Sequence, residues 1–277
     1  MGRLEEEEGR KRIAWHPAFY EAIQLEFESY WDCVEFVMEQ PLTAEPLQID
    51  VIIIKKKKDV VIDKAIAAIF RGHNLCEFKS HTDSLSEDDF YKVYAYACLY
   101  KGLKKVDITD ITISFVGAKY PEKVVKHLEA VKGYKIKERA SGIYEVEGGV
   151  DKIPVQFIKT NKLSEEDSGY LRLLSDGLNR EAVSYVMDEV GKPHKVKMRA
   201  LLNAILRANT ERFKEVMAMG GKTLEEVLEE SGLTEKWEAR GEARGEIRER
   251  EKWKEVDAEN ARLRLQVAEL QARLKNS

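Results

Sequence analysis

The residues of this chain whose types and spacing could do chemistry are Asp50, Glu77 and Lys79. Leu75, Cys76 and Phe78 surround the last two, so Asn74-Leu75-Cys76-Glu77-Phe78-Lys79-Ser80 reads as a short strand. Side chains alternate across a strand, which puts Glu77 and Lys79 on one face and Phe78 on the other. Upstream, Gln48-Ile49-Asp50-Val51-Ile52-Ile53-Ile54 is almost wholly apolar apart from Asp50. A run apolar on both alternations belongs inside a covered sheet. An acid there needs a partner or a metal, because an unpaired buried charge is very costly. If the two strands are neighbours, Asp50, Glu77 and Lys79 converge on one point, the geometry of a metal-dependent phosphodiesterase. The plainer alternative is a surface ion pair between Glu77 and Lys79 on an edge strand, with Asp50 capping a loop.

The elements that must position these residues are legible in outline. Phe19, Ile23, Phe27 and Tyr30 recur at three and four, which predicts a helix over 15–37. Glu26 lies beside that stripe, with Glu21 and Glu28 further round. Residues 60–70 form an apolar run that suits either a helix or a strand, and Arg71-Gly72-His73-Asn74 reads as a turn into the Glu77 strand. Ser86 with Asp89 three residues on fits a capping box opening a helix to about residue 100. Strands are expected over 108–116, 134–139, 143–146 and 153–159, and a helix over 122–132 ended by Gly133. Mixed strands and helices up to about residue 162 imply an α/β fold, a central mixed sheet flanked by helices.

After Ser164 the pattern is helical only, with helices expected near 180–190, 197–219 and 223–231. Glu238-Ala239-Arg240-Gly241 is nearly repeated by Glu242-Ala243-Arg244-Gly245, like charges at i,i+4 that weaken a helix. Trp253, Val256, Asn260, Leu263, Val267, Leu270 and Leu274 then alternate at three and four. Read as a heptad pattern, this places Asn260 at an a position, a means of fixing a parallel dimer in register. A homodimer through 253–274 is the expectation, against a lone surface helix. The domain reading is a disordered charged tail over 1–12, an α/β core over 13–163, a helical region over 164–232 and a coiled-coil tail over 233–277.

Composition narrows the class. With 35% charged residues and no apolar run long enough to cross a bilayer, no membrane association is expected. The start, with Glu5 to Glu8 and then Arg10, Lys11 and Arg12, has no apolar h-region of a secretory signal. Cys33, Cys76 and Cys98 form neither a disulfide framework nor a zinc knuckle, which suits a reducing cytoplasm. Net charge is -4, yet nine lysines stand against four acids between Lys101 and Lys137. Lys55 to Lys58 add a run of four directly after the Asp50 strand. Singly these are solvated surface groups; around a carboxylate site they form a phosphate-attracting rim.

The order of a first-helix acid, Asp50, then Glu77-x-Lys79 resembles the PD-(D/E)XK nuclease superfamily. Trp15-His16-Pro17-Ala18-Phe19-Tyr20, Pro46-Leu47-Gln48-Ile49-Asp50-Val51 and the stretch from Glu77-Phe78-Lys79-Ser80 to Asp89-Phe90-Tyr91-Lys92 are similar to its Rpn-like branch. That branch comprises recombination-promoting nucleases and transposase-like proteins of bacteria. Ile49 stands where the superfamily's motif has Pro. The resemblance implies a restriction-endonuclease-like core and Mg2+-dependent hydrolysis of DNA, linked to recombination or mobile elements. Mn2+ would be able to substitute. It assigns the metal to Asp50, Glu77 and the Phe78 backbone carbonyl, and water orientation or charge neutralisation to Lys79. The first-helix acid would be Glu26, with Glu21 as the fallback. Lys92 and Tyr94, on the helix after the Glu77 strand, would contact substrate, although a core role suits Tyr94 as well. The competing class is a scaffold that keeps the fold, oligomerises through the coiled coil and does no chemistry.

Overall fold

The computed structural model describes residues 13–38, 51–57, 59–148, 153–190, 192, 194 and 198–219. Its centre is a seven-stranded sheet of order β1-β2-β3-β4-β7-β6-β5. The strands are β1 (Val34–Met38), β2 (Val51–Lys56), β3 (His73–Lys79), β4 (Ile111–Gly117), β5 (Lys135–Ala140), β6 (Ile143–Glu147) and β7 (Val155–Lys159). β3, β4 and β7 run parallel, and the outer pairs are antiparallel, so the sheet is mixed as expected.

Two faces follow from the alternation of side chains. Val51, Ile53, Leu75, Ile113, Phe115 and Phe157 point to one, where they pack with Phe90, Val93 and Ala97 of helix α2 (Glu87–Lys104) and with Val124 and Leu128 of helix α3 (Glu122–Lys132). Ile54, Asn74, Phe78, Ser114 and Gln156 point to the other. There, helix α1 (Trp15–Glu26) lays Phe19 flat on Phe78 at 4.6 Å, and Phe27 stacks on Phe70 at 5.6 Å. The second face carries a buried polar seam. Thr112 Oγ1 donates to Asn74 Oδ1 at 2.6 Å, and Gln156 Nε2 donates to Ser114 Oγ and to the Ile66 carbonyl. Pairing of this kind is what makes polar side chains tolerable in a core.

Helices α4 (Glu165–Arg172), α5 (Arg180–Val190), α6 (Arg199–Ala208) and α7 (Thr210–Ala218) follow the sheet. The single helix expected over 197–219 is broken at Asn209. Its side chain there accepts from Leu178 N and donates to the Ser175 carbonyl, so the break docks α6 and α7 onto the preceding loop. The residues expected as a coiled coil, as a helix over 223–231 and as a disordered tail over 1–12 lie outside those described. No helix among the described residues is long and apolar enough to cross a membrane.

One long prediction is corrected. The helix expected over 15–37 stops at Glu26, tightens into a 3-10 segment over Glu28–Cys33 and becomes strand β1. Val34-Glu35-Phe36-Val37-Met38 is well suited to a strand, and it covers the free edge of β2, with Glu35 facing Lys55 at 2.9 Å. The helical spacing of Phe27 and Tyr30 is real, but satisfying the sheet edge outweighs it. The ambiguous run 60–70 is neither of its alternatives. It is an irregular connection with a short 3-10 turn over Ala65–Ala67 that presses Ile66 into the core.

Candidate active site at the carboxyl end of strand β3

Strand β3 forms because His73-Asn74-Leu75-Cys76-Glu77-Phe78-Lys79 can be buried on both faces between β2 and β4. Its alternation places Glu77 and Lys79 on the α2 face, as the sequence predicts, and Phe78 on the α1 face. Glu77 is buried, 6% exposed, and its Oε1 lies 3.2 Å from Lys79 Nζ. A second carboxylate meets the same ammonium, Asp89 Oδ1 at 3.0 Å. Asp89 is the third residue of α2 and does two jobs. Its Oδ2 accepts from the Ser86 backbone at 3.0 Å while Ser86 Oγ accepts from the Asp89 amide at 3.1 Å, a complete capping box. The cap fixes the first turn of α2, and that turn holds Lys79.

The charges in this group sustain one another. Burial works against the Lys79 ammonium, but Glu77 and Asp89 outweigh it and hold the pKa above the ordinary lysine value. Burial also pushes the Asp89 carboxyl up, and the Ser86 hydrogen bonds together with Lys79 more than reverse that, leaving it below its ordinary value. Lys79 therefore stays charged through the neutral range, as a group meant to face growing negative charge must.

Lys79 stands at a crest of the sheet. The three parallel strands end in register, Lys79 beside Gly117 and Gly117 beside Lys159. A crevice with about 350 Å³ of empty space opens there, floored by Phe115 and Phe157 and bordered by Asp83, Leu85, Lys119 and Tyr120. The carboxyl ends of parallel strands are where open α/β sheets bind ligands.

The remaining predicted residues divide. Val51, the residue directly after Asp50, is the register partner of Glu77, so β2 and β3 are neighbours. Asp50 itself lies outside the described residues. Glu26 does not join the cluster. It sits on α1, which packs on the Phe78 face, and it lies seven residues beyond Phe19, about 10 Å along the helix. Its carboxylate is 3% exposed, pairs with Lys64 at 3.1 Å and accepts from Leu171 N at 2.9 Å. Burial raises its pKa against the opposing pull of Lys64 and the backbone donors. The fallback, Glu21, accepts from Leu201 N at 2.8 Å, in the first turn of α6. Both acids of α1 thus hold the helical region. Lys92 is exposed on α2, and Tyr94 is half-buried with its ring parallel to Phe90 at 6.3 Å, the core role open to it from the start.

Three participants escaped the sequence reading. Asp89 was legible only as a cap, because nothing in Ser86-x-x-Asp89 reveals that Lys79 lies beside it. Lys119 and Lys159 belong to separate segments, and only the strand order brings them to one crevice. As for a metal, no group of three or more His, Cys, Asp or Glu among the described residues is placed to hold one. The donor chemistry nonetheless suits Mg2+, which takes carboxylate oxygen, keeps several waters and needs only one or two carboxylates. Glu77 supplies one at the strand end. No family model, no curated protein and no solved structure matches the chain.

Proposed function

We propose that the chain is a Mg2+-dependent DNA endonuclease hydrolysing phosphodiester bonds, acting in the cytoplasm on recombination or mobile-element DNA. The observation that carries the reading is the Glu77–Lys79 pair, buried on one face at the carboxyl end of β3 beside a crevice, with the segment following Asp50 paired to Glu77. Glu77 and Asp50 would hold the metal. Mg2+, or Mn2+ in its place, supplies a more acidic bound water and stabilises charge on the phosphorus oxygens. Lys79, fixed by Asp89, directs its ammonium at that charge. Residues 253–274 would pair two copies, setting one active site toward each strand of a duplex.

The test is direct. Purified protein incubated with supercoiled plasmid and Mg2+ should nick or linearise it, and EDTA should stop the reaction. Asp50→Ala, Glu77→Ala and Lys79→Ala should each abolish cutting, and undiminished cutting by all three would overturn the assignment. Light scattering on a chain ending near Ser231 should report a monomer where the full chain is a dimer.

A second reading has one observation in its favour: the Lys79 ammonium is spanned by two carboxylates, an arrangement that also serves as a structural tie between β3 and α2. On that reading the protein is a scaffold of the same fold. Calorimetric titration with Mg2+ separates the two, since a scaffold should give no heat that depends on Glu77.

A further inference from the structure

The crest of the sheet carries more positive charge than Lys79, and that charge is arranged differently. Lys79, Gly117 and Lys159 are register partners across three parallel strands, so all three project to the same face. The two lysines stand two strand spacings apart, about 10 Å between their backbones, with no side chain between them. Gly117 keeps the space open. A Cβ there would come within 3.1 Å of the Lys79 carbonyl and begin to fill the gap. Lys159 is held from its own backbone: its amide donates to the Gly142 carbonyl at 2.7 Å. Gly142 has φ +77, and a side chain there would meet the Lys159 carbonyl at 2.7 Å. Lys119 borders the same opening, its Nζ 3.2 Å from the Thr82 carbonyl. Tyr120 forms the wall, its ring 4.5 Å from Tyr144.

Charge bookkeeping separates this notch from the sheet beside it. On the β5–β6 hairpin the cations are matched, Lys137 with Glu147 and Arg139 with Glu145, each at 2.5 Å. Among the described residues, neither Lys119 nor Lys159 has a carboxylate within ion-pair distance. The one acid of the lining, Asp83, accepts from Ser80 Oγ at 2.7 Å. Two uncompensated ammonium groups at one opening repel each other unless an anion lies between them. A phosphate oxyanion matches that need, and Lys binds phosphate as a point charge without demanding a fixed orientation.

We infer that the notch over Gly117, between Lys79 and Lys159 with Lys119 at its rim, receives a second phosphate of the polynucleotide strand, next to the one attacked at Glu77 and Lys79. This rests on the nuclease reading, and it adds Lys119 and Lys159 as substrate-binding residues. Their service is to fix the register of the strand: an anchored neighbouring phosphate limits how the reacting one slides past Lys79.

Binding of a short fluorescein-labelled DNA duplex, followed by anisotropy in EDTA over a series of salt concentrations, tests the inference apart from cleavage. The Lys119→Gln/Lys159→Gln variant should bind more weakly, with a log-affinity versus log-salt slope shallower by about 1, the value of one phosphate contact. Arg212→Gln/Lys214→Gln, which removes two charges from α7, should keep the wild-type slope. A notch variant with unchanged affinity and slope overturns the inference while leaving the nuclease reading intact. A wild type that binds no duplex at all overturns both. Inorganic phosphate at matched ionic strength should not displace the duplex. Displacement from the wild type but not from the notch variant would identify a free-phosphate site and refute a strand contact.

Discussion

Two glutamate–lysine pairs occupy opposite faces of the same sheet, and they have been put to different ends. Glu26 and Lys64 are enclosed: both carboxylate oxygens are used, Lys64 also donates to the Asp167 carbonyl, and Asp167 accepts from Ala65 N at 3.1 Å. Every partner is on a neighbouring element, so the pair binds α1, the 60–70 connection and α4 into one body. Glu77 and Lys79 sit at a strand end beside a crevice, and their tether is a helix cap. The lesson is that a buried acid and a lysine within reach do not by themselves mark a site. What distinguishes a site is that one side of the pair faces space a substrate can occupy.

The sharpest way to break this comparison is to exchange the expected losses. Glu77→Ala and Lys79→Ala should each lower plasmid cutting by about a thousandfold or more, while Glu26→Gln, once folded, should cut at nearly the wild-type rate. A Glu26→Gln protein that is folded but dead would return Glu26 to the active site. Next in size is stability. Glu26→Ala leaves Lys64 and the Leu171 amide without their acceptor and should cost about 3 kcal/mol in urea unfolding. A loss under about 1 kcal/mol would mean that the clamp is not what holds α4.

Titration sharpens the contrast, because the two carboxylates are shifted in opposite directions. Burial raises Glu26 above its ordinary 4.5 in the folded chain, so the folded state holds that proton more tightly. Its contribution to stability is fullest below 4.5 and is lost as pH rises through the folded value. Asp89 lies below its ordinary 3.8, so its contribution is present above 3.8 and is lost as pH falls. Urea midpoints of Glu26→Gln against wild type should therefore diverge in a window just above pH 4.5, and those of Asp89→Asn in a window just below pH 3.8. Coincident windows would contradict the separation. The smallest effects belong to α2: Tyr94→Phe keeps the stack on Phe90 and should alter stability by less than about 0.5 kcal/mol. A large loss of cutting with Tyr94→Phe would instead place its hydroxyl on substrate.

Of the fold, the sequence announced what local pattern controls. Alternation around Phe78 is enough to send Glu77 and Lys79 to one face, and Ser86 with Asp89 is enough to start α2, since both depend on residues a few positions apart. Strand β1 was not legible, because Phe27 and Tyr30 continue a helical spacing into it and only the open edge of β2 decides between the two. Glu26 and Glu21 were misleading for a related reason. An acid beside an apolar stripe looks the same whether it faces a metal or the amide of a helix that follows it by well over a hundred residues.

What the chain determined alone, then, was the face, the charge and the spacing of Glu77 and Lys79, because a strand's geometry is set by its own backbone. The order of strands, which placed Lys159 two positions from Lys79 and drew Asp89 against it, was decided by tertiary packing. Such juxtapositions join segments far apart in sequence, and they are fixed by how all the apolar faces are buried together.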